Sequence, residues 1–324
     1  MVEHEATLED LPPLELLELR LLDLEAPSHP GRPAHVSAAS GVVQRGDFAY
    51  VIGDDELFLA VFRVSDQSPG RLHRALGGDL PLGHDDRKRA KPDLEVLTAL
   101  PPFGSHAHGA LLGLGSGSKP NRDRGFVWGL APDGSLDGEP YEIDLEPLYA
   151  RLRESVDDLN VEGAAVMGDG LWLLQRGNGE RGVNVVTEVA LDEALDALLR
   201  DRAFVASELR AMRSYDLGRL GDAKLTFSDA SPLGDELLVF TASAEASPDT
   251  FADGEIAGSV VGTIGRDGEV RRLREIDSDH KVEGVHAALD AGVATLTLVC
   301  DQDDAEAASP LLSATLPLDQ EEKT

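Results

Sequence analysis

A single cysteine, Cys300, stands in the 324 residues, so no internal disulfide framework holds the chain together, which suits a reducing compartment. No apolar run approaches the roughly 18 residues that a membrane-spanning helix needs. The opening segment, Met1-Val-Glu-His-Glu5, has neither the basic nor the apolar region of a secretory signal. These absences give the expectation of a cytoplasmic protein. Positive charge is scarce as well, with 29 Lys and Arg against 60 Asp and Glu and a net charge of −31. That balance repels nucleic acid and anionic membranes at long range, so neither is expected as a partner, and a monomer is expected. The acids are spread along the chain rather than run in one block, as in a solvated surface. They would attract divalent cations nonspecifically, so acidity alone does not argue for a metal site.

Two catalytic signatures are missing. The stretch Gly113-Leu-Gly-Ser-Gly-Ser-Lys-Pro-Asn-Arg-Asp-Arg-Gly125 is rich in Gly, Ser and Arg, but it lacks the Gly-x-x-x-x-Gly-Lys-Ser/Thr order of a phosphate loop, and a strand pattern follows it. No Ser-His-Asp grouping emerges from spacing. His106 and His108, which precede a strand, read as structural, His286 as internal packing, and Cys300, Trp128 and Trp172 as core.

What the chain does have is glycine, 33 residues of it, short strand patterns, and one motif repeated five times. Ser37-Ala-Ala-Ser-Gly-Val-Val43, Lys91-Pro-Asp-Leu-Glu-Val-Leu97, Asn160-Val-Glu-Gly-Ala-Ala-Val166, Leu225-Thr-Phe-Ser-Asp-Ala-Ser231 and Lys281-Val-Glu-Gly-Val-His-Ala287 each open an apolar strand with a small or acidic polar residue. A strand-borne repeat of roughly 60 residues is the signature of a β-propeller. The fold class expected is therefore all-β, a five-bladed β-propeller spanning residues 14–318, with an acidic and poorly ordered segment at 1–13 and a polar tail at 319–324. The fifth repeat ends one strand short. Leu14 to Leu24 competes as an amphipathic helix, but as a strand it would close the last blade and join the two ends of the chain. The charged stretch His84–Lys91 reads as a loop, and Leu191–Arg202 has a helical period.

In a propeller the inner strands start on one face, and the loops between second and third strands return to it. This geometry gathers Asp54, Asp55, Ser116, Ser118, Lys119, Asn121, Arg122, Arg124, Gln175, Arg176, Asn178, Ser243, Glu245, Asp301 and Asp303 around the axial five: Ser40, Glu95, Glu162, Ser228 and Glu283. Three acids converging in a narrow channel repel one another unless protons or a cation intervene. Hydroxyl and carboxylate oxygens suit Ca²⁺ better than Mg²⁺ or a transition metal. A channel holding only ordered water is the alternative on spacing alone.

The axial order Ser, Glu, Glu, Ser, Glu resembles the central calcium shell of the apyrase family of calcium-activated nucleotidases, which are five-bladed propellers that hydrolyse nucleoside di- and triphosphates. Ser40-Gly-Val-Val with Tyr50-Val-Ile-Gly-Asp-Asp55, Lys91-Pro-Asp-Leu-Glu95 with Gly113–Lys119, Asn160-Val-Glu-Gly with Leu174-Gln-Arg176, Phe227-Ser-Asp with Thr241–Glu245, and Lys281-Val-Glu-Gly are similar to its motifs in order. The Glu-Gly strands also resemble those of phytase-like and gluconolactonase-type propellers and of uncharacterised bacterial propeller proteins. The resemblance implies Ca²⁺ held by Ser40, Glu95, Glu162, Ser228 and Glu283. With it goes the expectation of a hydrolase of a small anionic substrate, a phosphoanhydride or phosphoester. Asp54, Asp55 and Glu245 are the candidate bases, and Lys119, Asn121, Arg122, Arg124, Arg176 and Lys281 the candidate substrate contacts. The competing expectation is a non-catalytic propeller that binds a ligand or partner around a structural ion.

Overall fold

The computed structural model describes residues 1–178, 182–246, 255–278, 280–290 and 292–318; the tail expected at 319–324 lies outside them. Five antiparallel sheets follow one another along the chain. Blade one is Ala39–Arg45, Phe48–Gly53, Phe58–Arg63 and Arg71–Arg74. Blade two is Leu94–Leu100, Ala110–Gly115, Arg124–Leu130 and Leu136–Asp144. Blade three is Val161–Met167, Gly170–Gln175, Asn184–Ala190 and Leu209–Asp216. Blade four is Ala223–Leu233, Leu237–Ala246, Glu255–Gly265 and Val270–Asp277. Blade five is Lys281–Asp290, Val293–Asp301 and Pro310–Pro317, completed by Leu17–Leu21. The first strand of each blade touches that of the next, and the fifth touches the first, so the ring is closed.

Hairpin chemistry sets the registers. At Arg266-Asp267-Gly268 the chain reverses with Gly268 at φ +89, a conformation glycine adopts without cost, and its N–H donates to the Gly265 carbonyl at 2.8 Å. Hydrophobic side chains then fill the five seams between neighbouring blades, one cluster to each. At the seam of blades three and four, Trp172, Phe227 and Phe240 are fully buried, and the two phenylalanines meet edge to face at 5.1 Å. Each such ring contributes about 1.5–3 kcal/mol by leaving water.

Among the described residues three α-helices decorate the wheel: α1 (His84–Ala90), α2 (Glu146–Arg153) and α3 (Leu191–Asp201). The last is the helix its period predicts. It packs Leu191, Ala194 and Leu198 beside Leu148, Tyr149 and Leu152 of α2 over the seam of blades two and three. The stretch read as a charged loop is α1 instead: Asp85 and Asp86 in its first turn and Arg87, Lys88 and Arg89 in its last complement the helix dipole. Among the described residues no helix is long and apolar enough to cross a membrane.

The N-terminal segment departs furthest from expectation, because it is ordered. Val2–Glu5 pairs in parallel with Arg213–Asp216 on blade three, and the His4 ring stacks on Tyr215 at 5.1 Å. The Ala6 N–H then donates to the Asp216 carbonyl and the Glu9 N–H to the Leu273 carbonyl. Leu14–Glu15 pairs with Ile276–Asp277 on blade four. Leu17–Leu21 closes blade five against Pro310–Ser313, and the Glu25 N–H donates to the Gly70 carbonyl beside blade one. Open sheet edges supply the hydrogen-bond partners that order this stretch. Deleting residues 1–13 is expected to leave the ring closed through Leu17–Leu21 but to cost about 2–4 kcal/mol, at roughly 0.5–1.5 kcal/mol for each backbone bond lost. Urea denaturation of the truncated chain checks it.

Candidate functional site

Each inner strand carries one break in its pairing with the second strand of its blade. The register shifts between Ala39 and Gly41, Leu94 and Val96, Val161 and Gly163, Phe227 and Asp229, and Val282 and Val285. Ser40, Glu95, Glu162, Ser228 and Glu283 stand in these breaks. A bulge leaves a residue unpaired and re-aims its side chain, so five bulges turn five polar groups out of the ladders. The backbones crowd there: a Cβ on Gly163 would lie 2.8 Å from the Ala230 nitrogen, and one on Gly284 the same distance from the Gly41 Cα. That close approach accounts for the Glu-Gly pairs in the sequence.

The ring brings three of its members into mutual electrostatic range. Glu95 feels Glu162, and Glu162 feels Glu283. The Ser228 hydroxyl donates to Ser243 Oγ at 3.2 Å, and Ser40 is buried at its own bulge. The three acids are not bare, however. Arg176 Nη1 lies 3.5 Å from Glu162 Oε1 and 3.9 Å from Glu283 Oε1, while its Nη2 donates to Glu245 Oε2 at 2.8 Å. Lys281 Nζ lies 2.9 Å from Glu283 Oε1. Two side chains expected to meet a substrate thus serve as internal counter-ions. Long cationic side chains reach the hub because burial makes their attraction to acids strong.

Burial nevertheless leaves its mark on the carboxyls. It pushes Glu162 up to about 8, with Arg176 opposing and Glu283 reinforcing. The Asn160 amide donates to Glu162 Oε1 at 2.5 Å. Burial and then Glu162 hold Glu95 well above the usual carboxylate range. The same neighbourhood raises Arg176 and Lys281, since the acids around them outweigh the desolvation that opposes their charge.

A second constellation abuts Glu95. One oxygen each of Asp54, Asp93 and Glu95 lies within 4.8 Å of the others. Lys91 Nζ donates to Asp54 and stands 2.8 Å from Asp93 Oδ1. Arg122 Nη1 donates to Asp93 Oδ2 at 2.5 Å and to Ser118 Oγ at 2.6 Å, and Ser116 Oγ donates to the same Asp93 oxygen at 2.5 Å. Burial pushes Asp93 up, but Lys91 and Arg122 outweigh it and hold the carboxyl below its ordinary value. Burial raises Asp54 despite Lys91. Asp301, pushed up to about 8 by burial and by Asp54, completes this side of the hub. The sequence alone does not single out Asp93, although it stands two residues before Glu95 in one of the repeated motifs.

Other expected site residues are engaged elsewhere. Asp55 lies 2.8 Å from Arg32 Nη1 and accepts from Arg87 Nε at 3.1 Å, which ties α1 and the segment before blade one together. Two guanidinium partners commit its carboxylate to this junction. Glu245 is likewise committed to Arg176. Arg124 Nη2 donates to Glu142 Oε2 at 2.7 Å and to the Gly77 carbonyl, so it belongs to the outer edge of blade two rather than to the hub. Asn121 Nδ2 donates to the Arg89 and Lys91 carbonyls and braces the end of α1.

The profile of DUF6929, described as a family of unknown function, matches residues 35–316. The chain belongs to the DUF6929 family. No curated protein shows significant similarity to this DUF6929 chain. Among solved structures it is similar to the Malassezia sympodialis allergen Mala s 1, at 10% identity and a TM-score of 0.48, over 87% of this chain and 95% of that one. It is also similar to a Cellvibrio cellulosa α-L-arabinanase mutant, at 15% identity and a TM-score of 0.47, over 89% and 94%. A luciferin-regenerating enzyme shares 10% identity with a TM-score of 0.42, over 88% and 92%.

Proposed function

We propose that the axial face is the active site of a calcium-dependent hydrolase acting on a small anionic substrate, a phosphoanhydride or phosphoester. The observation that carries this reading is the all-oxygen group of Asp54, Asp93 and Glu95 beside the ring acids Glu162 and Glu283. Oxygen donors in this number and charge fit a hard divalent cation, and the motif resemblance to calcium-activated nucleotidases favours the same ion. Asp54, Asp93 and Glu95 would hold it, with Glu162 and Glu283 adjacent. Bound there, calcium would supply a Lewis acid that polarises a substrate oxygen.

The chain's own residues do the rest. Glu162, with its pKa pushed up to about 8 and its carboxyl fixed by Asn160, is poised to exchange a proton close to neutral pH. It takes over the acid–base role first expected of Asp54, Asp55 and Glu245: arginines hold the last two, and Asp54 is assigned to the cation. Arg176 and Lys281 place positive charge at the hub that would stabilise negative charge developing on the substrate.

One observation favours the alternative of a non-catalytic, ligand-binding propeller with a structural ion. Arg176 and Lys281 already answer Glu162, Glu245 and Glu283, so the hub coheres without turnover. Thermal unfolding and hydrolysis assays with calcium and with chelator separate the two. Calcium at a hundredfold excess over its Kd is expected to stabilise the fold by about 2.7 kcal/mol and to switch on hydrolysis of nucleotides or phosphoesters. Stabilisation without turnover would leave the structural reading standing, and neither effect would remove calcium from both.

A further inference from the structure

The oxygen group of Asp54, Asp93 and Glu95, with one oxygen of each within 4.8 Å of the others, already holds an ammonium. Lys91 Nζ donates to Asp54 Oδ2 and lies 2.8 Å from Asp93 Oδ1, and its charge reaches Glu95 as well. Desolvation opposes that charge, but Asp54, Asp93 and Glu95 outweigh it and hold the ammonium well above its ordinary value. The other Asp93 oxygen is committed elsewhere, to Arg122 Nη1 and to the hydroxyls of Ser116 and Ser118. Lys91 thus holds the one Asp93 oxygen that Arg122 leaves open.

The backbone fixes where the lysine stem begins. Lys91 ends α1, and its N–H donates to the Arg87 carbonyl at 2.8 Å. Its own carbonyl accepts from Asn121 Nδ2 at 3.0 Å. Pro92 bars it from continuing the helix, and it is extended at φ −57 and ψ 145. Asp93 then turns into the left-handed region at φ +55, which aspartate visits more readily than most residues. That turn accompanies the return of its carboxylate to the lysine two residues earlier. Arg87, the one buried residue of α1, pins the helix to Asp55 and Glu56. What this ionic anchor secures is the start of a four-carbon side chain that can swing while the backbone stays.

We infer that Lys91 is a tethered counter-ion that occupies the cation site of the axial face until a divalent ion takes its place. The inference rests on the reading of this oxygen group as a calcium site and adds its regulation. An ammonium and a divalent ion repel strongly among oxygens held within 4.8 Å of one another, so entry of the ion and departure of Lys91 are one event. The exchange sets a threshold, because the ion competes with a cation that the chain itself supplies at high effective concentration. The ion also brings two charges where the lysine brings one. Glu95, which burial and its acidic neighbours hold well above the usual carboxylate range even beside the ammonium, is then answered too.

Calorimetric titration of the full, metal-free chain with calcium chloride tests this, together with amine acylation read by peptide mass spectrometry. Lys91→Met keeps much of the stem and removes the charge, and is expected to tighten calcium by about tenfold or more. Arg271→Met, on the outer strand of blade four, makes the same change in net charge and should leave the affinity within about twofold once salt screens it. In the wild type, where no substitution disturbs folding, calcium is expected to raise acylation of Lys91 by about fivefold or more, because the ammonium leaves a place where its side chain is only 13% exposed. Should Lys91→Met fail to fold, acylation alone decides. Calcium binding equally well to wild type and Lys91→Met, or leaving Lys91 acylation unchanged, overturns the exchange and leaves the calcium site standing. Exchange without turnover, or calcium binding to Lys91→Met alone, upholds the exchange and removes the calcium-dependent hydrolase. Calcium binding to neither protein removes the ion site and the exchange together.

Discussion

Replacing Arg176 by methionine is expected to cost about 3–5 kcal/mol, the penalty for removing one partner of a buried ion pair. The guanidinium answers Glu162, Glu245 and Glu283 together, and its side chain and theirs are all at most 13% exposed. Without it three carboxyls remain in low dielectric with Lys281 as the nearest cation. Protonation or a bound cation must then take its place. The variant should accordingly regain more stability from added calcium than the wild type does, and Arg176→Lys should lose less than Arg176→Met. Urea unfolding curves with and without calcium provide the measurement. A loss below about 1 kcal/mol would mean that the hub is wetter than its burial implies.

The second large effect is a fall in stability with rising pH in calcium-free buffer. Glu162 is raised in the folded state from 4.5 to about 8, and Asp301 from 3.8 to about 8. A carboxyl with a raised folded pKa binds its proton more tightly when folded than when unfolded. Its stabilising effect is complete below the unfolded value and is lost as pH climbs through the folded one. The window is thus about pH 4 to 8, and at about 1.4 kcal/mol per pKa unit Glu162 alone sets an upper bound of roughly 5 kcal/mol. Unfolding free energies at several pH values within that window, with chelator present, are expected to decline steadily. Glu162→Gln should flatten part of the slope, which separates this effect from the general repulsion of an acidic chain. A profile that rises or stays level, and that the Glu162→Gln substitution leaves unchanged, would contradict it.

The propeller and its axis were legible because five polar residues each open an apolar strand and three of them precede glycine. Those glycines exist because inner strands approach too closely for a side chain, as at Gly163 and Gly284. The missing strand of the fifth repeat pointed to the N-terminal leucines, and Leu17–Leu21 does complete that blade. What escaped notice has a physical reason in each case. Pairings as short as Val2–Glu5 and Leu14–Glu15 are below the length at which periodicity can be read. The helix α1 has no apolar stripe; its one buried residue is Arg87, anchored by Asp55 and Glu56. The outer strand Leu209–Asp216 of blade three hides behind Arg210 and Arg213, whose heads pair with Asp169 and Glu188 and the second of which lies over the Trp172 ring. The counter-ion roles of Arg176, Lys281 and Lys91 depend on where long side chains end, and spacing along a chain does not record that.

Closure of the fifth blade also sets a schedule for synthesis. Leu17–Leu21 emerges from the ribosome roughly 290 residues before its partner Pro310–Pro317, and pairing over such a separation is slow to form. Until then the backbone N–H and C=O groups of Leu17–Leu21 and the edge of the fifth blade lack the partners they find in the closed wheel. An open edge of this kind is a template for pairing with another chain, so the fifth blade is guarded only once its N-terminal strand has docked.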